Sequence, residues 1–69
     1  MKCYTGLTFE LEGWHNVELP QQKHINQFDD IVAWCVNYES SGECVYWYAD
    51  NVWRFRKQRD AMMFSLKWL

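Results

Sequence analysis

The chain has 69 residues, 49% of them hydrophobic and 19% aromatic, and a formal net charge of −2. This length allows one domain, residues 1–69, with little interior and a thin margin of stability. Three cysteines without paired spacing argue against a secreted disulfide framework, so we expect free thiols. Neither a signal peptide nor a membrane span of roughly 18 apolar residues is present. We therefore expect a cytoplasmic location and no membrane partner.

Residues 3–11 alternate as a strand with one apolar and one polar face does. The apolar positions are Leu7, Phe9 and Leu11, and the polar positions are Thr8, Glu10 and Glu12. Residues 14–19 are a candidate second strand, but a two-residue turn at Glu12-Gly13 would place apolar residues opposite polar ones, so this strand stays open. Pro20 ends the segment.

Residues 26–39 have the period of an amphipathic helix. Its apolar stripe consists of Phe28, Ile31, Val32, Cys35 and Tyr38. Asn26 is the expected N-cap, and Asp29 and Asp30 fall in the first turn, where the helix dipole favours negative charge. We expect the helix to end at Ser40-Ser41-Gly42.

Residues 44–57 predict the central hairpin of the sheet, with strands at 44–49 and 52–57 and a turn at Asp50-Asn51, two residue types that suit tight turns. This register makes two aromatic cross-strand pairs on the core face, Tyr48 with Trp53 and Tyr46 with Phe55. On the outer face it places Trp47 opposite Arg54 and Val45 opposite Arg56.

Residues 58–69 are ambiguous between strand and helix, but their good helix formers favour a helix. One stripe of this helix would be Ala61, Phe64 and Trp68, and another Met62, Leu66 and Leu69. Apolar on most sides, it should lie in the core or at a subunit contact. The predicted fold is α+β, a small antiparallel sheet of about three strands with two helices packed on one face.

Charge is unevenly distributed, because residues 1–50 hold eight acidic and two basic side chains whereas residues 51–69 hold five basic and one acidic. On the outer face of the hairpin, Trp47, Arg54, Arg56 and Lys57 form the candidate interface. Aromatic rings flanked by cations on a sheet are typical of single-stranded nucleic-acid platforms. Arg–Trp packing across strands explains the same residues without a ligand.

Candidate catalytic and metal-binding residues show no local signature. The cysteines Cys3, Cys35 and Cys44 and the histidines His15 and His24 lie nine or more residues apart, so no close pair suggests a zinc site. Ser40, Ser41 and Ser65 lack a nucleophile motif. Glu10 and Glu12 would share one face of a strand, which fits a solvated surface better than acid–base catalysis. The sequence predicts no enzyme, no metal and no cofactor.

The closing segment Trp53-x-Phe55-x-x-x-x-Asp60-Ala61-x-x-Phe64-x-Leu66-x-Trp68 resembles a group of small proteins from tailed phages, especially marine and T4-like phages. The resemblance implies a similar fold and a phage accessory protein acting in the bacterial host cytoplasm. No catalytic or binding residues are known in that group, so it implies none here.

A chain this short carries more large apolar side chains than its interior can absorb, and an exposed apolar patch often marks a contact site. We therefore expect a non-enzymatic protein-binding module or a small homo-oligomer such as a dimer. The alternative is a nucleic-acid-binding accessory protein that uses the aromatic and basic sheet face.

Overall fold

The computed structural model describes residues 1–6 and 11–69. In this part of the chain, four strands and three helices follow one another in the order β1 (Lys2–Thr5), β2 (His15–Glu18), α1 (Gln21–Asn26), α2 (Phe28–Asn37), β3 (Glu43–Trp47), β4 (Asp50–Phe55) and α3 (Gln58–Trp68). The α+β prediction is confirmed, and so is the helix predicted at the end of the chain. None of the described helices is long and apolar enough to cross a membrane.

The strands form one sheet in the order β1-β3-β4-β2. β4 is antiparallel to both β3 and β2, whereas β1 is parallel to β3. The sheet is therefore mixed, with one strand more than the predicted three. A parallel pair needs a long crossover connection, and strand periodicity does not reveal which strands are neighbours.

Of the strand predicted over residues 3–11, the structure describes the first part as β1, which runs from Lys2 to Thr5. Residues 7–10 of that prediction lie outside the described residues. The turn at Glu12-Gly13 that the sequence left open is present, since the Trp14 amide donates to the Leu11 carbonyl at 3.1 Å and Gly13 has a φ of 81°. Residues 15–18 do form a strand, which pairs with β4.

The helix predicted over residues 26–39 is α2 (Phe28–Asn37), and a separate short helix that was not predicted, α1 (Gln21–Asn26), precedes it. Pro20 does not merely end the preceding segment; its φ of −54° suits the start of α1. Gln27, and not Asn26, occupies the N-cap of α2, and Asp29 and Asp30 lie in its first turn as predicted. α1 was not predicted, because its mostly polar residues show no apolar helical period.

The hairpin lies where it was predicted, but its register was wrong by two residues at Val45 and by four at Trp47, with an irregularity in the pairing between these two positions. Asp50-Asn51 is not the turn; the chain turns at Tyr48-Ala49, and Cys44 lies opposite Phe55 and Val45 opposite Arg54. Asn51 is held in β4 because its backbone carbonyl accepts from the Leu19 amide at 3.0 Å and its side chain donates to the Leu19 carbonyl at 2.5 Å. A shift by an even number of residues keeps the paired side chains on their predicted faces.

The core lies between one face of the sheet and helices α2 and α3. It consists of Val17, Leu19, Ile31, Cys35, Cys44, Trp53, Phe55, Ala61 and Phe64. Phe64 of α3 packs against both aromatic residues of β4, with ring centroids 5.3 Å from Trp53 and 4.8 Å from Phe55. This contact fixes which stripe of α3 faces inward.

Candidate functional site

The structure separates the four residues of the predicted interface. Trp47 lies near the hairpin turn opposite Asp50, whereas Arg56 and Lys57 follow the far end of β4. Arg54 lies between them and is not paired with Trp47 as predicted, because β4 is shifted by two residues.

Each of the three cations in this set has a partner. Arg54 forms an ion pair with Asp50 at 3.4 Å and is only 15% exposed. Arg56 donates to Glu43 at 2.6 Å and the Lys57 ammonium donates to Ser41 Oγ at 2.5 Å. The Arg56 guanidinium, together with the Tyr4 hydroxyl, lowers the pKa of the Glu43 carboxyl.

The tryptophans are partly shielded. Trp53 is fully buried, whereas Trp14, Trp34, Trp47 and Trp68 are half-buried. The excess of aromatic bulk predicted from the sequence is thus absorbed in part by the fold. The strongly exposed apolar groups are mainly aliphatic.

The largest group of these exposed side chains lies on α3 and at the residue after it. They are Met62 (58% exposed), Met63 (40%), Leu66 (80%) and Leu69 (66%). The two apolar stripes predicted from the sequence therefore differ in exposure. Ala61 and Phe64 are buried, whereas Met62, Leu66 and Leu69 face solvent. α3 is the helix predicted to be apolar on most sides.

The exposed stripe of α3 borders a groove of about 420 Å³ against β2. Its lining residues are Asn16, Val17, Gln58, Ala61, Met62, Ser65 and Leu66. The two β2 residues in this set point to opposite faces of the sheet, so the groove wraps around the edge of the strand. We call this groove, together with Met63 and Leu69, the α3–β2 surface.

β2 is an edge strand among the strands that the structure describes. The Leu19 amide bonds to Asn51 of β4, and antiparallel hydrogen bonding alternates along a strand. The backbone groups of Val17 therefore face β4, and those of Asn16 and Glu18 face away from it. Such an edge can accept a further strand. The stripe was visible in the sequence, but its position beside an edge strand of the described sheet depends on β2 pairing with β4.

Two polar side chains are buried in the described part of the chain: His24, which the sequence offered as a possible catalytic residue, and Asp60. His24 is 1% exposed, and its ring nitrogens bond to Trp53 Nε1 at 3.1 Å and to the Tyr48 carbonyl at 2.8 Å. Asp60 is 2% exposed and accepts from the Ser40 hydroxyl at 2.8 Å. The hydrogen bonds of both side chains join different parts of the fold.

Gly42 is required beside this carboxylate. A Cβ atom at Gly42 would lie 2.0 Å from Asp60 Oδ2, so the loop before β3 passes Asp60 at a distance that only glycine allows.

No group of three or more metal-ligating side chains is suitably placed in residues 1–6 and 11–69. Comparison with protein-family models, with curated proteins and with solved structures finds no match. The arrangement of the chain's own residues is therefore the basis for a functional proposal.

Proposed function

We propose that this chain is a non-enzymatic accessory protein of phage type, a protein-binding module whose contact site is the α3–β2 surface. The observation that carries the proposal is the row of exposed aliphatic side chains on α3, with Leu66 at 80% exposure, beside an edge strand. Covering such a row is favourable by about 25 cal/mol per Å² of apolar area removed from water.

A second copy of the chain fits this surface. If two β2 strands pair antiparallel about a twofold axis at Val17, the outward backbone groups of Asn16 and Glu18 bond to those of Glu18 and Asn16 in the other copy. The sheet then continues across the axis. Because α3 packs on β2, the two copies of α3 come side by side and cover Met62 and Leu66.

The side chains at this edge suit the same arrangement. Val17 lies on the helix side of the sheet and would meet Val17 of the second copy below the two helices. On the opposite face, the Asn16 amide would lie beside the Glu18 carboxylate, which can accept its hydrogen bond. Apolar residues thus meet on one face and complementary polar groups on the other.

The proposal is tested by the mass of the protein in solution. We expect light scattering after gel filtration to give twice the chain mass of 8.5 kDa and Leu66→Lys to reduce it to one chain mass, because a lysine ammonium cannot be buried in an apolar contact without a large cost. Val36→Lys is the matched control, since Val36 is 55% exposed on α2, which packs at the β1 end of the sheet.

A wild-type protein that stays monomeric at all accessible concentrations would contradict the pairing, as would a Leu66→Lys variant that remains dimeric.

The phage origin and the bacterial cytoplasm are supported by the resemblance of residues 53–68 to phage proteins and by three free cysteines, which are typical of a reducing compartment. The nucleic-acid alternative has less support, because Arg54, Arg56 and Lys57 each bond to a neighbouring side chain. It stays a prediction.

A further inference from the structure

The three cysteines come together although they are far apart in the sequence. Cys3 of β1 and Cys44 of β3 are direct neighbours in the register of the parallel strands. The Cys44 thiol also lies within hydrogen-bonding reach of both the Cys3 and the Cys35 thiols. Cys35, from α2, thus contacts Cys44 from the helix layer.

The three thiols differ in exposure. Cys35 and Cys44 are buried, whereas Cys3 is half-buried on an edge strand. Cys3 is therefore the thiol that a reagent from solution reaches first.

The pKa values of the Cys3 and Cys44 thiols are shifted in opposite directions. Hydrogen bonding with the Cys44 thiol lowers the pKa of the Cys3 thiol, although burial opposes this effect. The pKa of Cys44 is raised by its hydrogen bonds to Cys3 and Cys35 and by burial. A thiolate with access to solvent beside a protonated second thiol is the arrangement of redox-sensing cysteines.

We infer that Cys3 and Cys44 are a redox-responsive pair, which a low-molecular-weight disulfide such as oxidised glutathione converts into an intramolecular disulfide. Neighbouring strands lie about 4.7–4.9 Å apart, within the Cα separation of roughly 4.4–6.8 Å that a disulfide spans. The bond would covalently join β1 to the central hairpin. This inference is independent of the proposed α3–β2 contact, because β1 and β2 are opposite edges of the sheet.

The reaction has two exchange steps. The Cys3 thiolate attacks one sulfur of the small disulfide, which forms a mixed disulfide on Cys3 and releases one small thiolate. Cys44 then gives up its proton to that thiolate and attacks the Cys3 sulfur, which breaks the mixed disulfide and releases the second small thiolate. This thiolate takes from solvent the proton that Cys3 had lost. Two protein thiols are oxidised and one small disulfide is reduced to two thiols.

The test is incubation of the whole chain with oxidised glutathione, followed by thiol counting and mass spectrometry of peptides. We expect the loss of two hydrogen atoms, one remaining thiol, and a peptide in which Cys3 is linked to Cys44. Cys3→Ser, at a half-buried position, should fold and form no intramolecular disulfide. Cys35→Ala should keep the Cys3–Cys44 bond.

Four results would overturn the inference: three unmodified thiols, a lasting glutathione adduct on Cys3, a bond between Cys35 and Cys44, or a disulfide between two chains. If Cys35→Ala fails to fold, the linked peptide from the wild-type chain still decides between these outcomes. Dimerisation is measured separately under reducing conditions, so failure of either proposal leaves the other testable.

Discussion

Trp53 and Trp68 differ in whether the indole N–H group has a hydrogen-bond partner. Trp53 Nε1 can only donate, so the His24 Nδ1 that it meets at 3.1 Å is the acceptor. His24 Nε2 then carries the proton and donates to the Tyr48 carbonyl at 2.8 Å. By contrast, Trp68 Nε1 is buried without a hydrogen-bond partner among the residues that the structure describes. A buried N–H group of this kind costs stability.

Replacing each indole with a benzyl ring separates these two situations. Trp53→Phe leaves the His24 acceptor unpaired and loses core contacts, so we expect it to reduce the free energy of unfolding by about 2–4 kcal/mol. Trp68→Phe removes an N–H that has no partner, so we expect it to reduce the free energy of unfolding by less than about 1 kcal/mol. Urea unfolding of both variants measures the difference, and equal losses would contradict this assignment of hydrogen bonds.

At the scale of elements, α3 has one face packed against the sheet and another exposed to solvent. Phe64 packs on β4 while Leu66, two residues later, is 80% exposed. The first turn of α3 contains the acidic Asp60, a charge that the helix dipole favours there. Lys57, at the N-cap, makes no side-chain capping hydrogen bond within the described structure. The backbone of Lys57 is extended, with φ −105° and ψ 133°, as suits a capping residue.

Lys57→Ser should therefore stabilise the protein. The serine hydroxyl can accept from a backbone amide of the first turn, and we expect a gain of about 1 kcal/mol in the free energy of unfolding. Lys57→Ala is the matched control, because it removes the same ammonium without supplying an acceptor. A serine variant no more stable than the alanine variant would show that α3 does not begin at this residue.

The sequence predicts those elements whose pattern is local. The stripe from Phe28 to Tyr38 predicts α2, and the helix formers of residues 58–69 predict α3. The hairpin register was not predictable, because it depends on bonds between Asn51 and Leu19, which are distant in the chain. The parallel pairing that brings Cys3 beside Cys44 is equally non-local.

The candidate site was predicted only in part for the same reason. Residue type drew attention to Trp47 and Arg54, but the register pairs Arg54 with Val45 instead. The exposed stripe of α3 is periodic and was seen in the sequence. Its role depends on which strand lies under the helix, and no local pattern contains that information.

For the whole molecule, the central claim is that the β2 edge and the α3 stripe are covered by a second copy. Asn16 and Glu18 are the informative positions because their backbone groups face away from β4, whereas Val17 bonds to β4 in any state of assembly. Amide hydrogen exchange resolves these three neighbours.

The decisive measurement is amide exchange at these positions over a range of protein concentration. We expect protection at Asn16 and Glu18 to increase with concentration and to disappear in Leu66→Lys, while protection at Val17 changes little. Exchange that stays fast at Asn16 and Glu18 at every concentration would contradict the claim.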